Sequence, residues 1–113
     1  MKLSIIILIW NQYSYVKKCI ECFRAYTDCD YEIVAIDNAS TDKQTVEYLR
    51  EQSKNNNIRL LRLDTSLGFA EANNKGVEVA KGEYLIIANS DIEIGKGYLN
   101  RFWELSKNYD LLG

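Results

Sequence analysis

The sequence predicts an α/β fold, a three-layer α/β/α sandwich on a mainly parallel, Rossmann-like sheet, and two observations carry that expectation. Short apolar runs rich in Ile and Leu alternate with longer segments of helical period, which is the pattern of βαβ units. The first and last of these runs are near-continuously apolar, as expected of central strands covered on both faces.

Four strands follow from this reading: Leu3 to Ile9, Glu32 to Ile36, Ile58 to Leu63 and Tyr84 to Ala88. The first is expected between the second and fourth, with the third beyond the second. A first helix is expected where Val16, Cys19, Ile20 and Phe23 recur at helical spacing. Ser40 or Thr41 can cap a second helix, through Val46 and Leu49 toward the Asn55-Asn56-Asn57 turn, with Asp42 in its first turn favouring the positive dipole end. Phe69, Ala72, Gly76, Val79 and Ala80 make a third apolar stripe, and a last helix would carry Tyr98, Phe102 and Leu105. The chain has no proline, so the breaks fall to Gly and Asn.

At 113 residues and 47% hydrophobic composition, one domain over positions 1–113 with one apolar interior is expected. Fourteen basic and 16 acidic side chains give a net charge of -2 without a basic run interleaved with aromatics, so nucleic acid is not an expected partner. Cys19, Cys22 and Cys29 are too few and odd in number for a secreted disulfide framework, and with no histidine in the chain Cys19-x-x-Cys22 lacks the remaining ligands of a zinc site. Structural thiols in a reduced, cytoplasmic setting are expected. The opening apolar run leads into Asn11-Gln12-Tyr13 and not a small-residue cleavage site, and it is too short to span a bilayer.

In an open parallel sheet, ligands sit outside the carboxyl ends of the strands. Three strands here end in polar clusters: Trp10-Asn11 after the first, Asp37-Asn38-Ala39-Ser40-Thr41-Asp42 after the second, and Asn89-Ser90-Asp91 after the fourth. If those strands are neighbours, the clusters share one rim. Each cluster alone also reads as turn chemistry, because Asn and Asp favour turns and Ser40 can simply cap a helix. Gly68 and Phe69 open the third helix, and Asn73 and Asn74 place two amides within it, to satisfy neighbouring backbone or to contact a ligand.

With these residues the chain resembles the N-terminal, nucleotide-binding part of a family 2 glycosyltransferase of GT-A fold. The resemblance rests on "SIIILIWNQ", "YEIVAIDNASTD", "LGFAEANNKGVEVAKGEYL" and "NSD" in the position of the family's DxD motif, in the family's order and spacing. It implies an inverting, metal-dependent transfer of sugar from a nucleoside-diphosphate donor (dTDP-, UDP- or GDP-linked) to a glycan or lipid-linked acceptor, in bacterial surface-polysaccharide assembly. By the same resemblance Asp91 ligates Mn²⁺ or Mg²⁺. Ile9, Trp10, Asn11, Asp37, Asn38, Ser40, Gly68, Phe69, Asn73, Asn74, Asn89 and Ser90 contact the donor, with Asp37 and Asn38 reading base and ribose and Asp37 facing the cleft from an exposed rim. Asn38 and Asn89 stand where the family more often has Asp.

The family's catalytic base and acceptor-binding segments lie farther along, so the base is expected beyond Gly113, and the chain reads as a truncated part whose isolated form is inactive. A further strand is expected to begin near Asp110. The resemblance also allows peripheral association of a full-length protein with the inner face of the membrane. A non-catalytic nucleotide-binding or protein-interaction module on the same fold is the alternative, since fold alone does not fix function. A dinucleotide oxidoreductase is disfavoured because "WNQYSY", and not a G-x-G-x-x-G turn, follows the first strand.

Overall fold

The computed structural model describes residues 2–55 and 57–108. Strands β1 (Lys2–Ile9), β2 (Asp30–Asp37), β3 (Ile58–Arg62) and β4 (Tyr84–Asn89) alternate with helices α1 (Tyr13–Tyr26), α2 (Lys43–Gln52), α3 (Phe69–Val79) and α4 (Tyr98–Asn108). The sheet runs β3-β2-β1-β4 and every pairing is parallel, as the alternating pattern predicts. Ile9 lies opposite Asp37, Leu8 opposite Asn89, and Asp37 opposite Arg62, so the polar clusters finish at one edge.

The strand period of two divides β1 between two cores. Leu3, Ile5, Ile7 and Ile9 pack with Val16, Cys19, Ile20 and Phe23 of α1, Leu49 of α2, and Tyr98 and Leu99 of α4. Ile6 joins Val34, Ile36 and Ala72 of α3 on the other face. Each fully buried Ile contributes about 1.5–3 kcal/mol relative to exposure. Tyr98 meets Phe23 edge-to-face at 5.8 Å and hydrogen bonds with Thr27 at 2.6 Å, which fixes α4 against α1. α3 lies close on the sheet because residue 76 is Gly: a Cβ there would stand 2.5 Å from Ile36 Cδ1 and 2.8 Å from Ile6 Cγ2.

Several expectations change. β4 is an edge strand among the described residues, and Ile87 is 45% exposed because α3 packs on β1 and β2 and leaves this part of β4 open. Phe69 is 62% exposed and does not join the α3 stripe, since it is the first residue of the helix and lies beyond the packed surface. Leu105 is also exposed. Asp42, and not Ser40 or Thr41, caps α2, accepting from Gln44 N–H (3.3 Å) and from Thr45 Oγ1 (2.7 Å). The expected strand onset at 110–113 and the Asn56 position of the turn lie outside the described residues.

Candidate functional site

A cleft of about 520 Å³ opens at the carboxyl ends of β1, β2 and β4, within the range of small-molecule sites. Six expected residues line it: Trp10, Asn38, Phe69, Asn89, Ser90 and Asp91. Leu8, Gln12 and Tyr15 join them; Tyr15, in the first turn of α1, is an exposed aromatic that sequence reasoning missed. Its signal was weak, because a Tyr early in a helix usually reads as surface. Among the described residues the lining contains one carboxylate, that of Asp91, and neither Lys nor Arg.

The other expected residues fall outside the lining. Ile9 is buried, and its carbonyl accepts from Asn38 N–H at 2.7 Å. Asn11 acts as a clasp between β1 and the β2–α2 loop. Its Oδ1 accepts from the N–H groups of Thr41 and Asp42, both at 2.8 Å, its Nδ2 donates to Thr41 Oγ1 at 3.2 Å, and its own N–H donates to Ser40 Oγ at 2.8 Å. Ser40 is thereby buried and occupied.

Asp37 is 1% exposed, which overturns its expected position on an exposed rim. A carboxylate so desolvated must be paired, and both its oxygens are: Oδ1 accepts from Ser40 N–H at 2.9 Å and Oδ2 from Arg62 Nη1 at 2.6 Å. Arg62 escaped the sequence reading. Its legible signal was register, since a cation closing β3 faces the acid closing β2. Asn38 is held on one amide edge by Leu67, whose carbonyl accepts from Nδ2 (2.9 Å) and whose N–H donates to Oδ1 (2.8 Å). This leaves Asn38 one amide hydrogen and one lone pair.

Among the described residues three that are not glycine have left-handed backbone, Asn11 (φ 53°), Gln12 (φ 64°) and Ala39 (φ 60°), all in the two loops at this edge. Such conformations cost about 1–3 kcal/mol each and cluster where function requires a particular loop shape. Gly68 precedes α3 with no heavy atom within 4 Å of where a Cβ would sit, so the backbone there is open to approach. Asn73 is 4% exposed and neither polar atom of its side chain has a hydrogen-bond partner. Asn74 is exposed.

Cys19 lies beneath the end of β4, and its thiol donates to the Asn89 carbonyl at 3.7 Å. Burial first, then the negative potentials of Cys22 and Asp91, push its pKa to about 12, so it is an un-ionised structural thiol. Asp91, Asn89 and Ser90 offer hard oxygen donors of the kind Mg²⁺ and Mn²⁺ prefer. Among the described residues no group of three or more Cys, Asp or Glu side chains gathers around a metal position. A divalent ion at Asp91 would need further oxygens from a ligand.

The chain is 32% identical over 111 residues to the poly(ribitol-phosphate) beta-glucosyltransferase of Bacillus spizizenii, covering 95% of this chain and 17% of that protein. It is 29% identical to glycosyltransferase GlyG of Streptococcus pneumoniae, covering 96% of this chain and 36% of that protein. Among solved structures, S. aureus TarS 1-349 in complex with UDP-GlcNAc superposes with a TM-score of 0.78 at 25% identity, over 97% of this chain and 32% of that one. The chain thus spans between about a sixth and about a third of the length of these relatives. The fold is that of the GT-A enzymes, of which TarS shares this parallel four-stranded arrangement. The model of glycosyl transferase family 2 matches residues 4–111, and the chain belongs to that family.

Proposed function

We propose that this chain is the donor-binding part, over positions 1–113, of a glycosyltransferase that moves a sugar from a nucleoside diphosphate to an acceptor hydroxyl, with inversion and with dependence on Mn²⁺ or Mg²⁺. The observation that carries this reading is the cleft itself, where, among the described residues, aromatic walls meet the single carboxylate of Asp91 with no Lys or Arg in the lining. A diphosphate placed there without a cation would face a like charge. A divalent ion, when bound, neutralises the diphosphate and the charge that grows on it as the sugar leaves.

The chain's own residues bind and orient. Trp10 and Tyr15, both exposed, offer ring faces to a base. Asn38 offers its remaining amide hydrogen, held in direction by Leu67. The first N–H groups of α3, behind Gly68, carry the positive end of the helix dipole toward phosphate.

The UDP-GlcNAc complex of TarS supports a nucleotide sugar as partner, and the proposal extends to UDP-, dTDP- and GDP-linked donors. The Bacillus relative, by name a poly(ribitol-phosphate) beta-glucosyltransferase, supports a polymer acceptor; a glycan or lipid-linked acceptor in surface-polymer assembly, at the cytoplasmic side of the membrane, is part of the proposal. Among the described residues no helix is long and apolar enough to cross a membrane. Inverting transfer also requires a base at the acceptor hydroxyl, and no residue of this chain is assigned that role.

Calorimetric titration of UDP, dTDP and GDP, each with Mn²⁺ and with chelator, tests the reading. At least one should bind more tightly with Mn²⁺; absence of binding in every titration overturns it.

A further inference from the structure

We propose that Arg62 is a positioning residue for the nucleotide cleft, acting through Asp37 to hold the turn that presents Asn38. The inference rests on the donor-binding reading above. Arg62 closes β3 directly opposite Asp37 in the parallel register and is not itself part of the cleft lining. Its guanidinium reaches two acceptors of the turn at once: Nη1 donates to Asp37 Oδ2 at 2.6 Å and Nη2 to the Ser40 carbonyl at 3.0 Å. Asp37 Oδ1 in turn accepts from Ser40 N–H at 2.9 Å, so the turn from 37 to 40 is fastened from both ends.

The turn needs fastening because Ala39 sits in the left-handed region at φ 60°, which a non-glycine residue avoids unless its surroundings impose it. Asp37 needs the cation because it is almost wholly desolvated. Without Arg62 the carboxylate would be stranded, and water entering to solvate it would open the turn. Asn38 would move with the turn, and its paired bonds to Leu67 would carry the displacement to Gly68 and Phe69 across the cleft. A lysine keeps the charge but lacks the planar fork that spans two acceptors.

The test uses Arg62→Ala and Arg62→Lys, with UDP affinity in Mn²⁺ by calorimetry and hydrogen exchange at the Ser40 amide without nucleotide. Losing two charge-assisted bonds should weaken UDP about tenfold in the Ala variant, with Lys intermediate and Ser40 exchange faster in both. Adding Asp37→Asn to Arg62→Ala removes the stranded charge and should recover part of the affinity, as should millimolar methylguanidinium.

Wild-type affinity with unchanged Ser40 exchange in Arg62→Ala overturns the inference and leaves the donor reading intact. A loss that neither Asp37→Asn nor methylguanidinium relieves also overturns it, since Arg62 would then touch the ligand directly. Failure of the unaltered protein to bind any nucleoside diphosphate removes the donor reading first, and the role assigned to Arg62 falls with it.

Discussion

Ser4 Oγ donates to Glu32 Oε2 at 2.6 Å across the β1–β2 boundary, at the opposite end of the sheet from the cleft. The same oxygen accepts from Lys81 N–H at 2.6 Å, Ser4 Oγ accepts from Gly82 N–H at 2.8 Å, and Arg59 stands 3.8 Å from Oε1. One buried carboxylate thus ties the turn before β4 to the two central strands.

That network makes stability depend on acid. Burial pushes the Glu32 pKa up, but the bonds from Ser4 and Lys81 with the charges of Arg59 and Lys2 outweigh it, so the net shift is downward. A carboxylate with a depressed folded pKa stabilises above its unfolded value, and the contribution drains away as pH falls through the folded one. Stability should therefore decline from about pH 4.5 downward, the ordinary value of this group. In Glu32→Gln the amide cannot ionise, so urea midpoints measured across this range should be lower at neutral pH and fall less steeply in acid. Parallel acid profiles for the two proteins would refute the assignment.

Gly82 is fixed by the same turn. A Cβ at this position would lie 2.6 Å from both the backbone nitrogen and Oγ of Ser4, and neither can move without disturbing β1. Gly82→Ala should destabilise by about 1–3 kcal/mol. Gly68→Ala, at ordinary φ with open space around it, meets no clash and should cost only the poorer N-cap of α3, about 0.5–1 kcal/mol. Equal denaturation midpoints for the two variants would count against the packing argument.

Asn38 separates a reading role from a holding role. In Asn38→Asp an oxygen replaces the amide nitrogen that donates to the Leu67 carbonyl, and two acceptors then face each other across 2.9 Å. The variant should lose about 1–3 kcal/mol at neutral pH. It should recover part of this near pH 4, where the introduced carboxyl can protonate and donate. A variant as stable as the parent at both pH values would show that the Leu67 bond contributes little.

Much of this was legible in advance, and what escaped has a common cause. Period two and period 3.6 are written into the residue order, so the strands and helices could be read from Ile, Leu and Val placement, and the order β3-β2-β1-β4 from the alternation of strand and helix; the apolar run of β4 still misread that edge strand as central. The rim followed because strand ends carry Asn and Asp. The assignment of each rim residue did not follow, because Asp37 looks the same in sequence whether it meets solvent or Arg62. The partners lie 25 residues apart, and only strand register joins them. Phe69 illustrates the same limit: it fits the α3 spacing, yet its place at the first turn puts it beyond the sheet.

The two ends of Asn89-Ser90-Asp91 yield opposite predictions. Asp91 is exposed at the cleft and, among the described residues, brings the only charged oxygens in the lining, whereas Asn89 brings a neutral amide. A carboxylate is a far better ligand for a hard divalent ion than an amide, so Asp91→Asn should abolish most of the gain in UDP affinity that Mn²⁺ produces over chelator. Fold should be untouched, since an exposed side chain free of packing contributes within about 0.5 kcal/mol. Asn89→Asp adds a second carboxylate and should move the other way, lowering the Mn²⁺ concentration needed for half-maximal UDP binding while weakening UDP in chelator through like-charge repulsion. The pair of variants distinguishes a ligand from a turn residue. If Asp91→Asn retains the full metal dependence, the carboxylate shapes the turn after β4, and the cation must be held elsewhere.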